Sequence, residues 1–147
     1  MNADFSFEIT SPSDRHLTIS LGGTLTSGQI QHVEPDVRKA IGGTRGQNGI
    51  LWDLRRVRRC DLGARTAIQK LQSEISTRSL RTAYVASRPR IRGVALWIVH
   101  TSGDALARPF ANHDQALDWL DASRGRMEHI MSRAKQILAL GGMGARR

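Results

Sequence analysis

The stretch whose reading decides the fold runs Ile50-Leu51-Trp52-Asp53-Leu54-Arg55-Arg56-Val57-Arg58-Arg59-Cys60-Asp61-Leu62-Gly63-Ala64-Arg65. Its opening, Ile50 to Leu54, is a short apolar run after the turn-rich segment Gly42 to Gly49, and its length suits a strand buried on both faces better than a helix. The remainder sets Arg55, Arg56, Arg58, Arg59, Asp61 and Gly63 between that central strand and the next helical pattern, in what reads as a loop. In an open parallel α/β sheet the functional crevice lies outside the carboxyl ends of the strands, so this is where function is expected.

Upstream of it, Phe5-Ser6-Phe7-Glu8-Ile9 and His16-Leu17-Thr18-Ile19-Ser20-Leu21 alternate apolar and polar residues around the turn signal Ser11-Pro12-Ser13-Asp14, which predicts a hairpin. Gly22-Gly23 is expected to end its second strand, and Thr26 or Ser27 to cap a helix with buried positions Ile30, Val33, Val37 and Ile41. Pro35 either kinks that helix or splits it near Glu34. The glycine-rich Gly42 to Gly49 lacks the Gly-Lys-Ser/Thr ending of a phosphate loop and precedes a strand, so it reads as a connection.

Downstream, Asp61 is placed to cap a helix whose inner face is Ala64, Ala67, Ile68, Leu71 and Ile75. Leu80 to Ala86 is the next strand, Ser87-Arg88-Pro89 starts a helix with Ile91, Val94, Ala95 and Ile98 inward, and Gly103 stops it. Ala105 to Phe110 is a last strand, which Pro109 assigns to the sheet edge, and Ala116, Leu117 and Leu120 open a final helical pattern after Asn112. The alternation predicts an α/β fold with a mostly parallel five-stranded sheet. Residues 1–122 form the domain, 123–140 a helical extension with Met127, Met131 and Leu138 at helical spacing, and 141–147 a disordered tail. The extension either covers the sheet of its own chain or pairs two chains as a homodimer.

A chain of 147 residues is one domain's worth. Neither a leader peptide nor an apolar run long enough for a membrane span is visible, which predicts a soluble cytoplasmic protein. The net charge of +9 is concentrated: residues 55–110 hold 12 basic and 3 acidic side chains, whereas residues 1–54 hold 4 and 6. That field favours an anionic partner, or else serves solubility alone.

Catalysis finds little support. Gly-x-Ser-x-Gly, His-Glu-x-x-His and Gly-x-Gly-x-x-Gly are all absent, and His16, His32, His100, His113 and His129 share no ligand spacing, so neither metal nor cofactor is expected. Cys60, the single cysteine, stands beside Arg58 and Arg59 before a helix, where a thiolate would be favoured; a small buried hydrophobe is the competing reading. Arg55, Arg56, Arg58 and Arg59 follow the central strand, and Arg88, Arg90 and Arg92 follow the next. Parallel strands end on one edge of a sheet, so the two clusters should converge near two helix N-termini as a site for phosphate or carboxylate. Trp52, Tyr84, Trp97 and Trp119 lie in apolar runs and read as core, which disfavours nucleic acid.

Leu51-Trp52-Asp53-Leu54 followed by Val57 and Asp61-x-Gly63, the strand Arg81-Thr82-Ala83-Tyr84-Val85, and Phe110 followed by Ala116-Leu117-x-Trp119-Leu120 together resemble a STAS domain of the SpoIIAA-like, anti-sigma-factor antagonist-like branch. The resemblance spans Phe5 to Leu120 and implies a non-enzymatic regulatory module that docks a partner at the loop after the third strand and the start of the next helix. Antagonists carry Asp-Ser-Ser-Gly there, whose phosphoserine repels the partner. The matching residues here are Asp61-Leu62-Gly63-Ala64, without a serine, and the arginines imply an acidic protein partner or anionic ligand. Relatives in the wider superfamily that hold small lipophilic molecules make a carrier domain the alternative.

Overall fold

Because Ile50, Leu51, Trp52 and Leu54 must all leave water, the strand that carries them has to be covered on both faces, and it is. In the computed structural model, which describes residues 4–11, 15–44, 47–122 and 137–138, this strand is β3 (Gly49–Cys60), in the middle of the sheet. The other elements are β1 (Ser6–Thr10), β2 (His16–Leu25), α1 (Ser27–Gly42), α2 (Leu62–Ile75), a short 3-10 turn (Ser76–Arg78), β4 (Arg81–Val85), α3 (Pro89–Ser102), β5 (Ala107–Phe110) and helical residues 113–122, here α4. Strand order is β1-β2-β3-β4-β5, with β1 antiparallel to β2 and every other pair parallel. The expected α/β architecture, N-terminal hairpin and edge position of Pro109 all hold.

Alternation along each strand sorts side chains between two cores. Leu17, Ile19, Leu21, Ile50, Trp52, Leu54 and Tyr84 pack under α1, α2 and α3, which contribute Ile30, Val33, Val37, Ile68, Leu71, Ile91, Ala95 and Ile98. On the opposite face Leu51, Ala83 and Val85 meet Ala116 and Leu120 of α4. Each large side chain so enclosed contributes about 1.5–3 kcal/mol. Trp52 and Tyr84 stack with centroids 5.7 Å apart and planes 3° from parallel. The Tyr84 hydroxyl donates to Gln72 Oε1 at 2.6 Å, and Gln72 Nε2 donates to Asp104 Oδ2 at 2.8 Å, tying β4, α2 and the α3–β5 turn together in the interior. Burial, with Asp104 adding to it, pushes the Tyr84 phenol well above its usual value, so it remains a donor.

Four sequence expectations are corrected. First, β2 does not stop at Gly22-Gly23 but runs through both: Gly22 lies so close to Ser6 and Arg56, and Gly23, at φ +79°, to the Asp4 backbone, that side chains would not fit. Second, β3 continues through the arginines to Cys60, so Arg55, Arg56, Arg58 and Arg59 belong to a strand and not to a loop. Its partner over this stretch is the unexpectedly long β2, and two register shifts, between Ser20 and Gly22 and between Gly23 and Thr24, absorb extra residues of β3. Third, of the two outcomes expected at Pro35 the split is ruled out: α1 is continuous from Ser27 to Gly42, with Pro35 inside it, and opens on a capping box between Thr26 and Gln29. Fourth, only Trp52 and Tyr84 are core; Trp97 and Trp119 are half-buried, with Arg65 over the first ring at 5.7 Å and Arg81 and Arg108 over the second at 4.6 and 5.4 Å.

The expected helical extension at 123–140 falls outside the described residues apart from Ile137 and Leu138, which are helical and exposed, and the tail at 141–147 falls outside them entirely. No helix among the described residues is long and apolar enough to cross a membrane.

Two substitutions probe this packing. Tyr84→Phe strands the buried Gln72 carbonyl and should lower the free energy of urea unfolding by about 1–3 kcal/mol. Gly49→Val, which drives a side chain into the Arg81 carbonyl and Leu120, should cost at least as much through overpacking, about 1–3 kcal/mol or more.

Candidate functional site

The site is built where β3 outruns its neighbour. Asp53 pairs with Val85, the last residue of β4, and from Leu54 onward β3 is paired with β2 alone. Val57 keeps this projecting segment anchored in the core while Arg55, Arg56, Arg58 and Arg59 stay exposed. The Asp61 amide then donates to the Leu25 carbonyl at 3.1 Å, and its carboxylate accepts from the Ala64 amide at 2.7 Å to cap α2. Gly63 packs against Ser27 so closely that a Cβ would stand 2.8 Å from the serine Cβ. Asp61 and Gly63 therefore fix the strand-to-helix corner that aims the arginines.

The arginine clusters meet only in part. Arg58 and Arg59 from β3 and Arg90 from α3 line one hollow of about 320 Å³, together with Cys60, Arg65, Ile91, Gly93 and Val94. Among the described residues no acidic side chain lines it. Arg59 and Arg90 have no ion-pair partner among the described residues, whereas Arg58 pairs with Asp4. Arg55 and Arg56 go elsewhere, to a hollow of about 460 Å³ beside Ser6, Glu8, Ser20 and Asp53 on the part of the sheet next to β1. There Arg55 is neutralised: Nε and Nη2 donate to the two oxygens of Asp53 at 2.9 and 2.8 Å. Burial works to raise the Asp53 carboxyl, but the hydrogen bonds from Arg55 outweigh it and hold the pKa below its ordinary value. Arg92 borders a third depression with Gly93, Leu96, Pro109 and Phe110, and Arg88 is the N-cap residue of α3.

Arg65 is the residue that sequence reading missed. It lies in the first turn of α2, among positions read only for their core face, yet it joins the 320 Å³ hollow and its Nε is buried without a hydrogen-bond partner. A signal was present: a cation in the first turn opposes the positive end of the helix dipole, so helix stability does not account for it. The same applies to Arg90 and Arg92, since neither α2 nor α3 has an acidic residue in its first turn. Helix α3 also lacks a side-chain cap, and Pro89 has no N–H to offer.

The expected lowering of the Cys60 thiol does not hold. Burial pushes it up to about 11, against an opposing pull from Arg65. Its Sγ lies 3.8 Å from the Asp61 carbonyl. Among the described residues no group of three His, Cys, Asp or Glu side chains is placed to hold a metal ion.

No protein-family profile matches the chain, and no curated protein does. Solved structures do match. The anti-sigma factor antagonist SpoIIAA in its unphosphorylated form superimposes with a TM-score of 0.60 at 19% identity, over 80% of this chain and 97% of that one. RsbS from Moorella thermoacetica gives a TM-score of 0.62 at 15% identity, over 79% and 95%. An uncharacterized protein with a SpoIIAA-like fold from Shewanella loihica PV-4 gives 0.59 at 20% identity, over 82% and 97%. The hairpin, the parallel strands β2 to β5 and the helices between them thus follow the arrangement of these structures, and this chain has the STAS/SpoIIAA-like fold.

Proposed function

We propose that the protein is a non-enzymatic regulatory module that docks an acidic protein partner through the arginine-bearing end of β3 and the start of α3. The observation that carries this reading is the meeting of Arg58, Arg59 and Arg90 in one hollow without an acidic residue in its lining. Such a field attracts and orients an acidic surface, and guanidinium forks bind carboxylates in two-point fashion. The structural relatives described as anti-sigma factor antagonists support a regulatory role by analogy of fold. In this chain the strand-to-helix corner reads Asp61-Leu62-Gly63-Ala64, and the Thr66 hydroxyl is engaged with the Leu62 carbonyl at 2.8 Å, so docking proceeds without a phosphoserine switch at the corner. A lipophilic carrier gains nothing from these hollows, whose rims are charged.

Poly-L-glutamate serves as a probe for acidic surfaces. Wild-type protein should bind it at low salt, with affinity falling as salt is raised, and replacing Arg56, Arg58 and Arg59 by serine should remove binding while leaving the thermal unfolding midpoint nearly unchanged. Equal binding by the triple variant overturns the reading. A nucleophilic role for Cys60 is tested separately through the pH dependence of iodoacetamide alkylation. A raised pKa leaves the thiol neutral at pH 7, so the rate should climb only toward about 11. An inflection at or below about 8.5, the value of an ordinary thiol, would restore the enzymatic alternative.

A further inference from the structure

We propose that the hollow between the end of β3, α2 and α3 is a phosphoryl-binding subsite that takes a phosphorylated serine or threonine of the docking partner, with an apolar residue of the same segment lying on the adjoining Leu96 surface. The inference rests on the docking reading above and names the chemistry that this part of the surface selects. Four guanidinium groups from three elements, Arg58 and Arg59 of β3, Arg65 of α2 and Arg90 of α3, line a volume of about 320 Å³; Arg58 is paired with Asp4, which leaves three without an ion-pair partner among the described residues. That is more positive charge than one carboxylate offsets, and a phosphate monoester supplies about −1.5 to −2 charges and three acceptor oxygens at neutral pH. The Arg65 guanidinium borders the hollow, with its Nε buried and without a hydrogen-bond partner among the described residues. Fixed in the helix and set against Trp97, that guanidinium is partly ordered before any anion arrives.

The surrounding surface distinguishes a phosphate borne on a chain from a free one. Gly93 lines both the arginine hollow and the neighbouring depression formed by Arg92, Leu96, Pro109, Phe110 and Ala111, so the two adjoin there. A Cβ at Gly93 would touch nothing within 4 Å, so the surface between them is open. Leu96 is 57% exposed there, an apolar contact that a small phosphorylated molecule has no need of.

The test is fluorescence anisotropy with an acidic heptapeptide bearing a central phosphoserine and a leucine two positions away, compared with its unphosphorylated form, a leucine-to-alanine form and phenyl phosphate. The phosphopeptide should bind at least about tenfold more tightly than the unphosphorylated peptide, since charge-assisted forks to a dianion are the strong ones. Its affinity should rise from about pH 5 to pH 7 as the second phosphate proton leaves, near pH 6. Arg65→Lys keeps the charge but loses the fork, and with Arg90→Gln and Gly93→Leu it should remove the preference for phosphate, whereas Arg55→Gln should not. Leu96→Ala should weaken the phosphopeptide but not phenyl phosphate. Equal binding of phosphorylated and unphosphorylated peptides overturns the subsite, and if poly-L-glutamate still binds in an Arg58- and Arg59-dependent manner the docking reading survives alone. Phenyl phosphate binding as tightly as the phosphopeptide, unaffected by Leu96→Ala, overturns the partner-borne assignment in favour of a free phosphate ester. Failure of every probe, poly-L-glutamate included, overturns both readings.

Discussion

The backbone of β3 is paired on both sides only as far as Asp53, where β4 ends, and beyond that point the ladder continues with β2 alone. A half-paired strand that kept its apolar alternation would be an aggregation-prone edge, and charged side chains are the usual protection. Arginine at 55, 56, 58 and 59 meets that constraint, while Val57 keeps the projecting segment attached to the core. The price is a dense positive charge at the edge of the sheet where the helices begin. Edge protection and anion attraction are thus consequences of the same overrun.

Charge placement around the helices goes against helix stability in a consistent direction. Cations in a first turn each cost some tenths of a kcal/mol, and the first turns of α2 and α3 carry Arg65, Arg90 and Arg92; the capping carboxylate of Asp61 offsets this at α2, and α3 has no acidic residue in its first turn. The ion pair between Arg55 and Asp53 lies on another part of the sheet and withdraws that arginine from the hollow. The distribution separates a neutralised pair beside β1 from a concentrated field between β3 and α3, in which Arg58 is paired with Asp4 while Arg59 and Arg90 have no ion-pair partner among the described residues.

Stiffness behind this surface comes from the interior. The stacked Trp52 and Tyr84 pair and the chain from Tyr84 through Gln72 to Asp104 couple the central strands to α2 and to the turn after α3. The two helices whose starts frame the hollow are therefore held by one buried network. At the other end of the sheet, Asp121 accepts from Asn48 at 3.2 Å and lies 3.0 Å from His16 Nε2, which fastens α4 over the second face.

Hydrophobic periodicity and turn chemistry were enough to determine the element order, the parallel sheet, the hairpin and most of the core, because burial on one or both faces leaves a local pattern in the chain. The resemblance of the Trp52, Tyr84 and Trp119 segments to STAS domains was legible for the same reason. Strand ends were not: whether Arg55 to Cys60 is loop or strand depends on β2 passing through Gly22 and Gly23, an arrangement made by residues distant in sequence. Nor could the arginines be sorted from sequence alone. Register shifts send Arg55 and Arg56 to one hollow and Arg58 and Arg59 to another, and only the packing of α2 against α3 brings Arg65 and Arg90 beside them. Composition determined the excess of positive charge; which guanidinium groups lie together is a matter of distances across three elements, and those exist only in the folded molecule.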